Sequence, residues 1–558
     1  MAFQLSPGVQ VTERDLTSVV PAVGTSIGGT AGEFVWGPAK EVTTISSENE
    51  LVSRFGRPPV VGTTYRTWFA AASFLAYTGT LKVVRAIGSD ALNAGATAGV
   101  LIENEVDYTN NHADGSGSNG MWAAKYPGAI GNSLKVSFAD SSDYATWAYK
   151  DQFDYAPSAT AYGTAAGASV DEMHIIVIDE DGQFTGTAGT ILEKFSGVSK
   201  ASDAKDSVGQ SNYYKTVINQ RSQYIWWCDK PAAITNNWGS LAQGVTFTSD
   251  HTEAEATVSL TLGVNGTTAA GDLQAAFLLF ANDELVDVNL IFVGDASATV
   301  GDYVIDNVAE VRKDCMVFVS PAADSVVNNV GSEATAIVAE VSSYTRSSYA
   351  VFDSGYKYMY NRYYDQYVWV PCNGDVAGLC AATDNIADPW FSPAGLNRGA
   401  IKNAVKLSYS PNKTDRDTLY KAGVNPIVGF PGSGIVLFGD KTLLEKPSAF
   451  DRINVRRLFI VLEKAIATAA KFQLFEFNDA FTRAQFKNLV EPFLRDVQGR
   501  RGIYDFRVVC DETNNTTQVV DSNQFVADIF IQPAKSINFI QLNFIATRTG
   551  IAFEEVGA

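Results

Sequence analysis

The chain has 558 residues, of which 46% are hydrophobic and 18% charged, and its formal net charge is −19 at pH 7. This length allows about three to four domains with cores of their own. The acidic balance argues against a protein that wraps nucleic acid, because phosphate contacts require clustered lysine and arginine. No apolar run approaches the ~20 residues that cross a bilayer, so membrane insertion is not expected.

The cysteines and the N-terminus indicate where the chain is made. The five cysteines include no CxxC pair and are Cys228, Cys315, Cys372, Cys380 and Cys510. The opening MAFQLSPGVQ has no basic segment followed by a long apolar one, so no signal peptide is expected. These features predict a reducing cytosol and free, mostly buried thiols.

The stretch SPGVQVTERD, residues 6–15, predicts one short β-strand. Val9 and Val11 would point to one face of it. Gln10 and Thr12 would point to the other. A lone strand leaves its backbone N–H and C=O groups unpaired, so this N-terminal extended arm, residues 1–22, needs a partner strand elsewhere.

Residues 23–88 have a β-α-α-β pattern that predicts the first part of an α/β domain. Ser46 or Ser47 can cap a short helix in SSENELVSRFG. A longer helix in TTYRTWFAAASFLAYTG would end at Gly79. The stretch TLKVVRAIG then predicts a strand.

The pattern changes after this first part. Residues 89–240 hold polar loops such as TNNHADGSGSNG and short strands in NSLKVSFAD and MHIIVIDEDG, which predict one or more inserted β-rich outer modules. Residues 241–271 form a second polar, β-like insertion. Helix and strand patterns return over residues 272–403, which we interpret as the second part of the α/β domain.

Residues 404–520 are predicted to form a C-terminal α/β domain with two helices. The second helix, in NDAFTRAQFKNLVEPFLRDVQG, can be capped by Asn478 or Asp479 and has one apolar face. Pro492 should kink it, because proline lacks a backbone N–H. A polar stripe with a spacing of four residues lies on the same helix and consists of Arg483, Lys487, Glu491 and Arg495.

Three strand-like segments end the chain, and residues 521–558 are predicted to be a C-terminal strand arm. The first segment is GIYDFRVVCD. One face of the second, NQFVADIFIQ, would carry Phe525, Ala527, Ile529 and Ile531. One face of the third, INFIQLNFIAT, would carry Ile540, Leu542 and Phe544. The predicted fold class is therefore α+β and multidomain: a C-terminal α/β domain, a discontinuous α/β domain with inserted β-rich modules, and strand-like terminal arms.

The sequence offers weak candidates for metal or nucleotide chemistry. The three histidines, His112, His174 and His251, lie in the inserted regions without HExxH spacing, so we expect loop or surface positions and no metal site. The stretch GIVLFGDKT, residues 434–442, resembles a phosphate-binding loop. However, Asp440 separates the glycine from the lysine, and the apolar residues between the glycines favour a buried strand.

Two other groups have both a chemical and a structural interpretation. Cys510 is expected to be a buried strand cysteine, and the adjacent Asp511 and Glu512 to mark a solvated turn. The aromatic group could stack on sugars or bases, but a two-faced strand in a packed sheet or subunit interface is favoured. It consists of Tyr356, Tyr358, Tyr360, Tyr363, Tyr364, Tyr367 and Trp369.

No set of residues has the pattern of a catalytic site, so neither an enzyme nor a cofactor is expected. The alternative from another class is a carbohydrate-binding or hydrolytic protein, which would need a pocket with convergent carboxylates of perturbed pKa.

Several stretches, in order, resemble one known family, the tail sheath proteins of contractile-tailed bacteriophages. They include SPGVQVTERD, AYTGTLKVVRAIG, MWAAKYPGAIGNSLKVSF, WVPCNGDVAGLCAATDNIADPWFSPAGLNRG and GSGIVLFGDKTLLEKPSAFDRINVRRLFIVLEKAIATAAKF. The resemblance covers roughly residues 6–140 and 273–553. The large insertion is similar to the long sheath proteins of myoviruses rather than to the minimal sheaths of pyocin-like particles.

The resemblance implies a structural subunit of the virion tail sheath, assembled in the host cytoplasm. Such subunits form stacked six-subunit rings around a tail tube protein, with a baseplate and a tail terminator as further partners. Contraction then drives the tube through the host envelope. The sheath of a non-viral contractile injection apparatus is the nearest alternative.

The resemblance also suggests roles for particular residues. The terminal arms of sheath proteins add strands to the sheets of neighbouring subunits, a role that would fall to Val9, Gln10, Val11, Thr12, Phe525, Ala527, Ile529, Ile531, Ile540, Leu542 and Phe544. The helix stripe that begins at Arg483 is a candidate tube-facing surface, with an ordinary solvated face as the alternative. The inserted region, residues 89–271, is expected to project outward, and a deletion that keeps polymerisation would support this.

Overall fold

The computed structural model describes residues 24–59, 62–115, 119–230, 237–249, 251, 256–538 and 540–541. They belong to two units. The larger unit comprises Val23–Pro389 and Pro393–Arg456. The C-terminal unit includes Trp390–Ser392 and the described chain from Arg457 onward. The chain passes from the larger unit to the C-terminal unit at Trp390, returns at Pro393 and passes over again after Arg456.

The described strands are numbered in chain order. They are β1 (Gly28–Gly32), β2 (Val42–Ile45), β3 (Leu81–Arg85), β4 (Trp122–Ala124), β5 (Leu134–Asp140), β6 (Glu172–Asp179), β7 (Thr190–Ser199), β8 (Ile225–Trp227), β9 (Thr257–Ser259), β10 (Leu290–Phe292), β11 (Met316–Val319), β12 (Ala350–Asp353), β13 (Tyr356–Asn361), β14 (Gln366–Pro371), β15 (Lys406–Leu407), β16 (Val424–Asn425), β17 (Ile427–Phe430), β18 (Gly434–Leu437), β19 (Ile503–Val509) and β20 (Asp528–Pro533).

The α-helices of the described chain separate these strands. They are Glu48–Phe55, Tyr65–Leu75, Glu105–Asn111, Ala161–Ala166, Tyr214–Arg221, Ala270–Leu278, Ala298–Val304, Glu310–Arg312, Ala323–Val326, Glu333–Val341, Asn373–Ile386, Lys413–Lys421, Ile453–Ala470, Ala480–Gly499 and Thr517–Asp521. No helix among the described residues is long and apolar enough to span a bilayer.

A seven-stranded sheet organises the larger unit, with strand order β16-β12-β11-β10-β1-β3-β2. Neighbouring strands are parallel, except that β2 runs antiparallel to β3. Strands such as β11 are buried along their whole length, as expected when helices cover both faces of a parallel sheet. Strands from before residue 86 thus pair with strands from after residue 289, and the mixed α/β character predicted from the sequence is confirmed.

Glycine in the middle of this sheet lets a helix approach closely. In β1, a Cβ built on Gly28 would lie 2.4 Å from the ring of Phe74, on the helix Tyr65–Leu75. The Phe74 ring also stacks on Phe292 of β10, with centroids 5.3 Å apart. The absence of a side chain at Gly28 is therefore what allows the helix to pack on the strand.

The chain between β3 and β10 forms antiparallel sheets of its own. The larger has the strand order β7-β6-β5-β9, and β4 pairs with β8 in a second, two-stranded sheet. The core between them is rich in aromatic and branched side chains, among them Trp122, Phe138, Ile175 and Val177. Phe138, Ile175 and Val177 lie in the stretches NSLKVSFAD and MHIIVIDEDG, which predicted short strands.

The C-terminal unit packs helices on a small sheet. Asp479 caps the helix Ala480–Gly499 by accepting a hydrogen bond from the N–H of Thr482, so one of the two predicted caps is used. The apolar face of this helix is buried in the core of the unit. The helix continues through Pro492 to Gly499.

Candidate functional site

The residues predicted to act as terminal arms divide into two groups. Val9, Gln10, Val11 and Thr12 lie outside the described residues, as do Leu542 and Phe544. Ile540 is described; it is 78% exposed and lies in no strand. The third C-terminal strand therefore does not form at residues 537, 538, 540 and 541, consistent with the marginal stability of a strand that lacks a paired neighbour.

The remaining arm residues lie beside the strand pair β19–β20. Ile531 is opposite Phe506, and Ile529 is opposite Val508. The side chains of Phe525, Ala527, Ile529 and Ile531 all pack against the core of the C-terminal unit, as the single predicted face requires. Strand β20 begins only at Asp528, so Phe525 and Ala527 precede it instead of lying in it as predicted.

The other face of this strand pair is exposed. Tyr504 of β19 and Phe530 of β20 are 61% and 60% exposed. Within the part of the chain that the structure describes, β19 and β20 pair only with each other. Each strand therefore has an outer edge that could receive a further strand by main-chain hydrogen bonding.

Arg483 does not belong to an exposed stripe. It is only 8% exposed, and its guanidinium donates a hydrogen bond to Asn478 Oδ1 at 3.0 Å. Asn478 in turn donates to the carbonyl of Gln524 at 2.8 Å. The four-residue stripe predicted from spacing is therefore wrong at its first member, because Arg483 holds the chain segment before its helix instead of facing solvent.

The other three members of the stripe do share an accessible surface. Lys487 and Glu491 form an ion pair with Nζ and Oε1 3.6 Å apart, and both side chains remain partly exposed. Arg495, one turn further on, is exposed. An exposed pair of this kind contributes little to stability, so these side chains are free to contact a partner without a large folding cost.

The histidines lie deeper than predicted. His174 is fully buried in β6, where its Nδ1 accepts a hydrogen bond from the N–H of Gly197. The His251 side chain is also buried and lies 4.9 Å from the Phe138 ring. The predicted loop or surface position is therefore wrong for His174, which lies in a strand. His251 does lie in a loop, but its side chain is buried among aromatic rings instead of lying at the surface.

His251, Asp140 and Asp143 lie close enough to suggest a metal site. However, the Lys200 ammonium is 2.6 Å from Asp140 Oδ2, and both groups are fully buried. The other Asp140 oxygen accepts hydrogen bonds from the N–H and hydroxyl of Ser142. Burial acts to raise the pKa of Asp140, but Lys200 and these hydrogen bonds hold that pKa below its usual value. The geometry therefore fits a buried ion pair, with Lys200 supplying the positive charge that a metal would bring.

The phosphate-loop candidate forms a strand, as expected. Strand β18 pairs with β17, and Val436 and Leu437 are buried. Lys441 donates to the carbonyl of Tyr420 at 2.7 Å. Backbone N–H groups that pair with a neighbouring strand cannot turn inward around a phosphate.

The aromatic group forms a two-faced hairpin of β13 and β14. Tyr356 is buried and donates a hydrogen bond to Asp295 at 2.6 Å. Tyr358 stacks on Tyr367 with centroids 5.4 Å apart, and Tyr360 and Tyr367 are about half exposed. The expected strand with two different faces is thus confirmed.

The expectations for the stretch after β19 hold in part. Cys510 is buried as predicted, but it follows the strand instead of lying in it. Asp511 accepts hydrogen bonds from the N–H and hydroxyl of Thr513 in an exposed turn.

Two features were not found from the sequence. One is a buried polar group at the carboxyl ends of β11 and β12, where Asp353 accepts from Ser320, and Lys357 pairs with Asp375 at 2.9 Å. The other is the stretch KFQLFEFNDAF, residues 471–481, which is highly exposed despite its apolar content. Its five large apolar side chains were a signal in the sequence, but they fit neither a helix nor a strand period.

Comparison with known proteins gives two family models that together match half of the chain. The phage tail sheath protein central domain matches residues 266–443, and the phage tail sheath C-terminal domain matches residues 445–547.

Curated relatives match over the full length. The tail sheath protein of Vibrio phage KVP40 is 34% identical over 688 aligned positions, which cover 99% of each chain. That of Enterobacteria phage T4 is 32% identical over 99% of each chain. The sheath of Salmonella phage ViI is 32% identical and covers all of this chain and 98% of its own. Because the KVP40 alignment is longer than the 558 residues of this chain, that relative carries segments that this chain lacks.

Solved structures share the fold. A sheath tail protein from Listeria innocua superposes with a TM-score of 0.53 at 12% identity, over 92% of this chain and 96% of that one. One from Desulfitobacterium hafniense gives 0.52 at 13% identity, over 94% and 100%. With the full-length relatives above 30% identity, these findings show that the chain belongs to the tail sheath protein family of contractile-tailed bacteriophages.

Proposed function

We propose that this chain is the repeating subunit of a sheath of stacked six-subunit rings around a tail tube, and that it contracts to drive the tube through the host envelope. Assembly in the host cytoplasm on a baseplate, with a tail terminator at the far end, completes the proposal. The full-length similarity to phage tail sheath proteins carries it, since 99% of this chain and 99% of the Vibrio phage protein align. Those relatives favour a phage tail over a non-viral injection apparatus.

The strand pair β19–β20 supports a specific link between subunits. Its inner face is anchored in the core of the C-terminal unit, so the pair is a fixed platform. Among the described strands it has no third member. We propose that arms from neighbouring copies, residues 1–22 and 521–558, add strands at such sheet edges. Contacts of this heterologous kind need not close on themselves, and they generate an open helix.

The proposed contraction draws its energy from many identical subunits that change state together. If the contracted array is favoured by a few kcal/mol per subunit, a scale typical of two-state switches, the total grows with every copy in the sheath. Strands shared between chains would keep the copies connected while whole subunits rotate. Such a device needs no nucleotide hydrolysis, because the energy is present in the assembled extended state.

The test of this link is electron microscopy of the full chain at high concentration beside a variant that lacks residues 1–20. We expect striated tubes from the full chain, and monomers or loose rings from the variant. A variant with Lys413→Glu and Lys421→Glu, two exposed residues of the larger unit, serves as the folded control. Equal polymerisation of the full and truncated chains would rule out the N-terminal arm as the link.

We also propose that the exposed part of the stripe, from Lys487 through Glu491 to Arg495, faces the tube. The double charge reversal Lys487→Glu with Arg495→Glu should leave thermal stability within a few degrees, because both side chains are exposed or half-exposed. It should reduce co-sedimentation of sheath with tube at least tenfold. Undiminished binding to tube would assign these residues to an ordinary solvated face.

A further inference from the structure

Residues 471–481, called here the apolar loop, connect the helix Ile453–Ala470 to the first residues of the helix Ala480–Gly499. The loop carries five large side chains in ten residues, Phe472, Leu474, Phe475, Phe477 and Phe481, which are 73, 62, 105, 84 and 75% exposed. Soluble proteins expose single apolar side chains routinely, but they rarely expose large ones so close together unless a partner covers them. No part of the chain that the structure describes covers these side chains, so the loop requires an explanation beyond the packing of those residues.

The loop is fixed at its C-terminal end. Asn478 donates to the carbonyl of Gln524 and accepts from the buried Arg483, and Asp479 caps the next helix. These bonds hold the residues after Phe477 on the core of their own unit. The apolar side chains are thus presented from a defined base.

The backbone at Phe475 is unusual for a phenylalanine. The N–H of Glu476 donates to the carbonyl of Gln473, Leu474 has φ −64° and ψ 137°, and Phe475 has φ +72°. These values describe a type II turn with Phe475 at the position that normally requires glycine or asparagine. A bulky side chain at positive φ is a strained choice, and strained residues cluster where they serve a function. The turn itself does not need this ring, which makes Phe475 a candidate for contact with another molecule.

We propose that the apolar loop docks onto a second copy of this chain in the assembled sheath. This inference rests on the proposed function, in which many copies pack together. At roughly 200 Å² for each aromatic side chain, the exposed fractions correspond to on the order of 700 Å². That is close to the ~800 Å² that each partner buries in a standard protein interface.

The net charge of the chain is consistent with the same occupant. Each copy carries a net charge of −19, so two copies have no overall charge attraction and must associate through surfaces that do not depend on opposite charges. The apolar side chains of the loop offer such a surface, as in the apolar cores of homo-oligomer interfaces.

Photo-cross-linking identifies the occupant directly. The full chain, with p-benzoylphenylalanine in place of Phe475, is assembled on tube and irradiated. A cross-link between two sheath chains is the expected product. A cross-link to the tube protein, or only within one chain, would overturn the inference.

A substitution experiment tests whether the contact matters. The variant with Phe475→Asn and Phe477→Ser should fold with an unchanged or higher melting temperature, because asparagine tolerates positive φ. Its critical concentration for polymerisation should rise at least tenfold. The matched control, Leu285→Asn with Val330→Asn, removes side chains that are 81% and 93% exposed elsewhere, and it should stay within twofold of the wild type.

The outcomes separate the two proposals. If the wild type forms tubes and the loop variant polymerises equally well, the docking role is ruled out and the proposed function is unaffected. Failure of the wild-type chain to polymerise, with or without tube, would overturn both. If the loop variant unfolds, the cross-linked product still decides the occupant.

Discussion

Single buried carboxylates give the larger unit a pH-dependent stability. Asp353, at the end of β12, is fully buried and accepts hydrogen bonds from the hydroxyl of Ser320 and the N–H of Gly355. Burial raises the pKa of Asp353 to about 8, and the nearby Asp375 adds to the effect, whereas the two hydrogen bonds oppose it. The folded state therefore binds a proton that the unfolded state releases at a much lower pH.

This shift predicts the direction of a pH effect. The protonated carboxyl of Asp353 makes its full contribution to the free energy of unfolding below the unfolded pKa of 3.8. That contribution is lost as the pH rises towards the folded pKa of about 8. Asp353→Asn should remove this pH dependence. As the pH rises from 5 to 8, the melting temperature of the wild type should fall by several degrees relative to that of the variant. In this window each pH unit costs the wild type up to about 1.4 kcal/mol of unfolding free energy. Thermal unfolding followed by circular dichroism at both pH values measures it. The exposed Asp417→Asn is the control, and parallel pH profiles for wild type and Asp353→Asn would contradict the argument.

In the C-terminal unit, the two faces of strand β20 have different roles: one stabilises the fold and the other is available for assembly. On strand β20, successive side chains alternate between the core of the unit and solvent, so Ile531 packs inward while Phe530 is 60% exposed. The inward residues hold the platform in place. The outward ones are available to a strand or side chain that a neighbouring copy adds.

This alternation predicts different results for adjacent substitutions. Ile531→Ser should lower the free energy of unfolding by roughly 1–3 kcal/mol, because it removes buried apolar surface. Phe530→Ser should leave stability nearly unchanged and weaken polymerisation severalfold. Denaturant unfolding and sedimentation of the polymer measure the two effects. If Phe530→Ser unfolds the chain while polymerisation of the remaining folded protein is normal, the outer face has no part in assembly.

On the scale of the whole molecule, net charge controls when copies associate. The charge of −19 keeps separate copies apart at low ionic strength. Salt shortens the range of that repulsion, from a Debye length of about 30 Å at 0.01 M to about 8 Å at 0.15 M. Strand addition and apolar docking, which do not depend on charge, then determine assembly.

The purified chain should therefore polymerise more readily as salt is added. Between 10 mM and 300 mM sodium chloride, light scattering should show a severalfold fall in the critical concentration. A rise in the critical concentration would mean that attraction between opposite charges holds the copies together. The contacts between copies would then be assigned to ion pairs instead of apolar surfaces.

Local patterns in the sequence determined helix caps and the core-facing sides of helices and strands. The Asp479 cap, the apolar helix face of Phe486 and Val490, and the single core-facing side of β20 follow from periods of 3.6 and 2 residues. These signals are complete within a few residues of chain, so they can be read without knowing the rest. The ordered motifs likewise sufficed to predict the family.

Only the tertiary structure decided which polar groups are buried and which apolar groups are exposed. Lys200 and Asp140 are 60 residues apart in the chain yet form one fully buried ion pair, and Arg483 is buried although its spacing fits an exposed stripe. Phe475, apolar by sequence, is fully exposed at a positive φ. Burial is set by contacts between distant segments and, in a sheath subunit, between copies, so no local period encodes it.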